Sequence, residues 1–348
     1  MNAQIRPPTD TAGRVYGRPL VIGLINSTSD RARRTTELQF KTLLQAAAPD
    51  RPFRFKFFAF REIAPSVPPI SFSGMPYADV ATLPDAGLDA LIVTGMEPRA
   101  RQLEDKAIWD SFIKVVDWTE RTRLPVAWSC FAAHAAVLYL DGISRTPNSS
   151  KISGVFEMAV AAPDHPLMKG ITTAWRSPHS RQFGLDETRL VANGYHILAR
   201  SAECGVDSFV KNGLPFLFLQ GHPEYSADTL MREYMRDMRR YVLGESAKVP
   251  AIPRDYFDGA TEMPLAAQAR FAEQNRGELS ILVEMAKTAQ AGLRSPPWQS
   301  AATRLFANWI ASIPRPDPDH GALPGFFEDA ALAPMLAMAR DSQPVAER

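Results

Sequence analysis

LPVAWSCFAAHAAVLYL, residues 124–140, is the stretch whose reading decides the fold. Val126 to Ser129 follow a proline as a short apolar run, the pattern of a buried strand. Ala132 to Leu140 continue in small and apolar residues, the pattern of a buried helix. Cys130 falls on the turn between the two. The whole run sits at the lower length limit for a membrane span and contains Pro125, Ser129, Cys130 and His134, so a strand running into a helix fits it better.

Outward from this unit the same alternation repeats. Toward the N-terminus, Leu20 to Asn26 reads as a buried strand, Thr35 to Ala48 as a helix closed by Pro49, and Phe53 to Phe60 as a second strand. Ala90 to Thr94 is another buried strand. Ile108, Phe112, Val115, Val116 and Trp118 then trace one face of a helix over about 105–121. Beyond the central unit, Val155 to Val160 and Val206 to Leu219 are strands, the second divided at the Asn212-Gly213 turn signal. Ser226 is placed to cap a helix reaching Val242, with Leu230, Tyr234 and Met238 on one face. Residues 250–264 turn irregular, and helical patterns follow over 265–291 and 300–313. Strands alternating with helices predict an α/β fold, a mostly parallel sheet with helices on both faces. The expected division is a mobile arm over 1–18, the α/β domain over 19–245, a helical extension over 246–313 and a proline-rich tail over 314–348.

Composition narrows the function. Lys and Arg total 39 against 38 Asp and Glu, a net charge of +1, so phosphate neutralisation is not a driving force and neither nucleic acid nor an acidic membrane is an expected partner. The chain has two cysteines, Cys130 and Cys204, which excludes a disulfide framework and any CxxC metal site. No HExxH, DxDxDG, GxxxxGK[ST] or GxGxxG spacing occurs, so no metal and no nucleotide phosphate loop are expected. No apolar leader opens the chain, and the cytoplasm is the expected location.

Two segments carry chemistry. Ligands of open α/β sheets bind beyond the carboxyl ends of strands. Cys130 stands at such an end with helix amides beside it, which stabilise a thiolate and an oxyanion. By position alone the simpler reading is a small, buried, inert cysteine. Gln220-Gly221-His222-Pro223-Glu224-Tyr225 changes that reading, because it too follows an apolar strand, Phe216 to Leu219. Pro223 fixes the chain, and in an extended segment His222 and Glu224 point the same way. Glu224 then orients His222, and His222 takes the proton from Cys130, the nucleophile–base–orienter logic of acyl transfer. Among the remaining histidines, His134 reads as a packing residue of the helix after Cys130. His179 reads as either a pocket wall or a structural turn residue. His165, His196 and His320 have no partner spacing. Cys204 reads as structural.

The Cys130 elbow with His222-Pro223-Glu224 resembles the class I glutamine amidotransferase-like superfamily. Nine pieces together resemble, more narrowly, the homoserine O-succinyltransferase family. They are Asp89-Ala-Leu-Ile-Val-Thr-Gly95, Trp109 with Asp117-Trp118, Cys130, Lys151-Ile-Ser-Gly-Val-Phe-Glu157, Pro178-His-Ser-Arg181, Gly221-His-Pro-Glu-Tyr225, Ala227-Asp-Thr-Leu230, Glu233-Tyr-Met-Arg-Asp237 and Leu305-Phe-Ala-Asn-Trp309. The resemblance implies that Cys130 carries an acyl thioester, that His222 is the general base and that Glu224 is its partner. It places Lys151, Ser180 and Arg236 at substrate-binding positions, the Arg236 fork suiting an amino-acid carboxylate. Backbone amides of Phe131 and Met96 are the expected oxyanion hole.

The implied activity is ping-pong transfer of an acyl group from acyl-CoA, a co-substrate rather than a cofactor, to the hydroxyl of L-homoserine, opening methionine synthesis. Family members are commonly homodimers. Arg99 stands where relatives choose the acyl group, with Gly in succinyl-specific and Glu in acetyl-specific enzymes. An arginine there can pair with the free carboxylate of a succinyl group and favours succinyl-CoA over acetyl-CoA. Asn26-Ser-Thr-Ser29, Phe131-Ala132 and Met96-Glu97 depart from the family pattern and leave room for an acetyl donor or a related amino alcohol. Glutamine amide hydrolysis by the same three residues is the other alternative. The family does not account for the proline-rich tail.

Overall fold

A computed structural model describes residues 18–28, 30–62, 70–95, 104, 107–172 and 174–314. The first half alternates as the sequence predicts: β1 (Leu20–Ile25), α1 (Asp30–Ala47), β2 (Phe53–Ala59), β3 (Ala78–Asp79), β4 (Ala90–Val93), α2 (Trp109–Thr122), β5 (Val126–Ser129) and α3 (Phe131–Asp141). The second half follows as β6 (Thr146–Val160), β7 (Ala174–Gly184), α4 (Glu187–Ala192), β8 (Tyr195–Ser201), β9 (Gly205–Lys211), β10 (Phe216–Leu219), α5 (Thr229–Val242), α6 (Gly259–Gln274), α7 (Ser280–Ala291) and α8 (Gln299–Ser312).

These strands form one sheet in the order β3-β2-β1-β4-β5-β10-β9-β8-β6-β7. From β3 to β10 every pairing is parallel, and from β10 to β7 every pairing is antiparallel. Helices cover both faces. Along β1, Leu20, Ile22 and Leu24 enter one core with Phe40 and Leu44 of α1, Leu230 and Tyr234 of α5, and Phe306 and Trp309 of α8. Val21 and Ile25 enter the other, with Phe112 and Val116 of α2 and Ala132, Ala133 and Ala136 of α3. A strand buried on both faces favours apolar residues along its whole length, which is why β1, β4 and β10 read as unbroken apolar runs and β5 as one up to its final Ser129. No helix among the described residues is long and apolar enough to cross a membrane.

Several elements depart from the pattern reading. The structural-turn alternative for His179 falls away: Pro178-His-Ser-Arg181 is the middle of β7, which lies at the sheet's edge, where a proline removes no ladder bond. Helix α5 starts at Thr229 with Asp228 at its cap position; the Ser226 hydroxyl bonds the side chains of Asp228 and Thr229, and it is the Ser226 carbonyl that accepts from the Thr229 amide, at 3.1 Å. The 265–291 pattern is two helices, α6 and α7, because the chain breaks at Asn275-Arg-Gly277, where Gly277 takes a φ of +101°. Helix α6 also begins earlier than expected, since the Asp258 carboxylate accepts from the Thr261 amide at 2.8 Å, and Pro264 sits within it. The segments expected as arm and tail lie outside the described residues, save for Arg18 and Pro314 at their inner ends.

Candidate active site

Sheet register brings the two chemical segments together. Strands β5 and β10 run parallel with Ser129 beside Leu219, so the residues that follow, Cys130 and Gln220, leave the sheet side by side. The Cys130 amide donates to the Leu219 carbonyl at 2.7 Å. On the other flank β4 pairs Val93 with Trp128, which sets Thr94 and Gly95 against the elbow. Cys130 itself holds φ 52° and ψ −109°, a conformation that costs a non-glycine residue on the order of 1–3 kcal/mol. The turn lifts its half-buried thiol onto the N-terminus of α3. A Cβ on Gly95 would stand 3.2 Å from the Phe131 amide nitrogen and 3.3 Å from Cys130 Cβ, so any larger residue there crowds the elbow.

His222 is buried and is held from three directions, two at the ring and one at the backbone. Nδ1 lies 2.8 Å from Glu224 Oε1. The Tyr225 ring stacks on it at 4.2 Å with 17° between planes. The backbone amide of His222 donates to the Pro178 carbonyl at 2.9 Å. With Nδ1 committed to Glu224, Nε2 is the nitrogen left for Cys130, whose sulfur is among the groups that act on the ring. Burial opposes the imidazolium, yet the Glu224 carboxylate, and after it the Cys130 sulfur, hold His222 well above its ordinary range. The extended segment expected between His222 and Glu224 is instead a turn, closed by a Tyr225 amide to His222 carbonyl bond of 3.1 Å. The turn, not strand alternation, brings the two side chains together.

Behind this set, Tyr225 Oη donates to Glu233 Oε1 on α5 at 3.0 Å, and Trp298 Nε1, just before α8, donates to the Tyr225 carbonyl at 3.0 Å. Lys151 on β6 and Arg236 on α5 meet at one carboxylate: Lys151 Nζ is 2.8 Å from Asp237 Oδ2 and Arg236 Nε is 2.9 Å from Asp237 Oδ1. Burial pushes the Asp237 carboxyl up, but Lys151 first and then Arg236 outweigh it and hold it below the usual range. Asp237 was legible only as the neighbour of Arg236; nothing in the sequence paired it with Lys151. Ser180 lies on β7 opposite Ser153 of β6. Met96 and Arg99 lie outside the described residues.

The other histidines sort by contact. His134 is buried and lies 3.0 Å from Gln220 Oε1, while burial lowers it to about 3, so it packs as a neutral ring. His165 accepts from the Leu167 amide and, contrary to its isolated spacing, meets His196 edge to face at 5.7 Å. Cys204 is buried and pushed up to about 11 by desolvation, the state of an inert thiol. His179 is fully buried on β7.

The model of the homoserine O-succinyltransferase family matches residues 8–315. A homoserine O-succinyltransferase of Rhodopseudomonas palustris is 40% identical over 308 residues, covering 88% of this chain and 91% of that protein. One from Bradyrhizobium japonicum is 41% identical over 297 residues, covering 84% and 90%. Among solved structures, a glutamine amidotransferase from Methylobacillus flagellatus aligns with a TM-score of 0.49 at 15% identity, covering 87% of this chain and 98% of that one. By the extent of the family match and the identity to these relatives, the chain belongs to the homoserine O-succinyltransferase family.

Proposed function

We propose that this protein transfers a succinyl group from its CoA thioester to the hydroxyl of L-homoserine, through an acyl thioester on Cys130. The observation that carries the proposal is the buried His222–Glu224 pair of 2.8 Å set against a strained, half-buried cysteine at the carboxyl ends of β5 and β10. His222 takes the Cys130 proton, and the thiolate attacks the thioester carbonyl. Amides of Phe131 and Met96 hold the oxyanion, CoA leaves as its thiol with the proton from His222, and the acyl group stays on sulfur. His222 next takes the proton of the homoserine hydroxyl, the alkoxide attacks the acyl-cysteine, and the ester leaves while Cys130 recovers its proton. Dividing the transfer in this way replaces one difficult step by two easier ones and gives ping-pong kinetics.

Lys151, Ser180 and Arg236 are the proposed substrate-binding residues, Arg236 through its fork to the amino-acid carboxylate. Asp237 anchors both cations and so fixes their spacing. Arg99 is proposed to take the free carboxylate of the succinyl group. The product ester is an activated homoserine, so the reaction belongs at the entry to methionine synthesis, in the cytoplasm, with a homodimer as the proposed assembly.

Intact-mass measurement after exposure to succinyl-CoA and, separately, to acetyl-CoA tests this. The expected result is one succinyl adduct that disappears on adding homoserine and never forms in Cys130→Ser. Absence of an adduct with either donor, or ammonia release from glutamine instead, overturns it.

A further inference from the structure

Under the loop that carries His222 lies a buried polar chain that the transfer steps do not use. Alternation along β7 turns Ser177, His179 and Arg181 to one face, and all three are buried. Arg181 Nε donates to His179 Nδ1 at 3.2 Å. A ring nitrogen that accepts carries no proton, and burial keeps His179 below its ordinary range, so the neutral ring bears its proton on Nε2. That Nε2 stands 3.0 Å from Asp207 Oδ1 on β9. Ser177 Oγ donates to the same oxygen at 2.9 Å. At the far end Arg181 also donates to the carbonyls of Phe183 and Cys204. A guanidinium and a carboxyl group are thus buried at the two ends of one imidazole.

Such a cluster is an expensive way to fill a core, since apolar residues of the same volume are often as stable or more so. Its upper surface explains its place. Gly221 rests on it so closely that a Cβ would lie 2.4 Å from both Asp207 Oδ1 and Ser177 Oγ and 3.1 Å from His179 Nε2. The Gln220 amide donates to the Asp207 carbonyl at 2.7 Å, and the His222 amide donates to the carbonyl of Pro178, between Ser177 and His179. Three successive residues, ending in the base, are seated on this one cluster.

We propose that Arg181, His179, Asp207 and Ser177 form a positioning unit that sets the height of the Gly221–His222 backbone, and with it the meeting of His222 Nε2 and the Cys130 sulfur. This rests on the reading of His222 as the base. The unit touches no reacting atom; it acts through the loop.

The experiment is a double-mutant cycle on the full chain, with single-turnover acylation of Cys130 by succinyl-CoA read by intact mass. Asp207→Asn keeps the shape and removes the charge. It should slow acylation and kcat by roughly 10–100-fold, as a small misplacement of a catalytic group does, with KM for both substrates unchanged within about threefold. Ser177→Ala should lower kcat by roughly 3–10-fold with KM unchanged, and the double variant should be no slower than Asp207→Asn, because both act through one seat. Folded variants that acylate at the wild-type rate, or that raise KM at constant kcat, overturn the proposal. So does a full addition of the two effects. Where Asp207→Asn does not fold, the kcat of Ser177→Ala decides by the same criterion. If the wild-type protein forms no adduct, the reading of Cys130 and His222 has failed, a result separate from any difference between variants.

Discussion

Two residues apart in the chain, His222 and Glu224 illustrate how a short contact acquires a pH signature. The imidazole is raised above its ordinary value near 6.5 because a carboxylate and a sulfur outweigh its burial. A group whose folded value is raised contributes stability that is complete below the unfolded value and is lost as pH rises through the folded one. Glu224→Gln removes the leading cause. In that variant the His222 midpoint, followed by NMR of the ring, should fall, and the stability gap to wild type should narrow as pH increases. Activity should drop by about 10²-fold or more, since the ring loses the partner that holds its tautomer and orientation. An unchanged midpoint would show that Glu224 is not what sustains the charge.

At the scale of elements, the site is assembled by strand register and by one stitch between distant segments. Arg254 runs beside β6 at Gly154, with the Arg254 amide donating to the Ser153 carbonyl at 3.0 Å and the Val155 amide donating to the Arg254 carbonyl at 2.8 Å. Gly154 takes a φ of +146°, and a Cβ there would come within 2.4 Å of the Arg254 oxygen. Both the backbone conformation and the close approach require glycine. Gly154→Ala should therefore cost at least about 1–3 kcal/mol, the range for strained backbone, seen as a lower unfolding midpoint. A midpoint equal to wild type would mean the stitch carries no stability. Because β6 also carries Lys151 and faces Ser180, the same change should loosen the proposed substrate-binding residues.

For the molecule as a whole, the helices after residue 258 are not an appendage. Leu265, Ile281, Met285, Leu305, Phe306 and Trp309 are buried in the same core as Leu20, Ile22 and Leu24 of the central strand. Trp298 reaches from there to the Tyr225 carbonyl behind the base. Trp309 is almost wholly buried, so Trp309→Ala should destabilise the entire protein by about 3–5 kcal/mol, the usual cost of emptying a large aromatic site. A single unfolding transition at lower denaturant is the expected observation. Two separate transitions would instead show that the C-terminal helices fold as an independent unit.

Sequence alone determined what depends on local physics. The apolar runs that became β1, β4, β5 and β10 were legible because a strand covered on both faces favours apolar residues along its whole length. Cys130 and His222 stood out because each ends such a strand, and the resemblance carried by nine separate pieces named the family. What lay beyond reach was every arrangement that depends on which strands are neighbours. Alternation predicts parallel pairing but is silent on the antiparallel half, so β7 carries no strand signal of its own and His179 reads as either a pocket wall or a structural turn residue. The Lys151–Asp237–Arg236 cluster and the buried Arg181–His179–Asp207 chain join residues far apart in sequence, and no spacing encodes them. Only the tertiary structure placed them: a one-residue change of register would turn Lys151, His179, Arg181 and Asp207 to the opposite face of the sheet, and the packing of α5 brings Asp237 and Arg236 to Lys151.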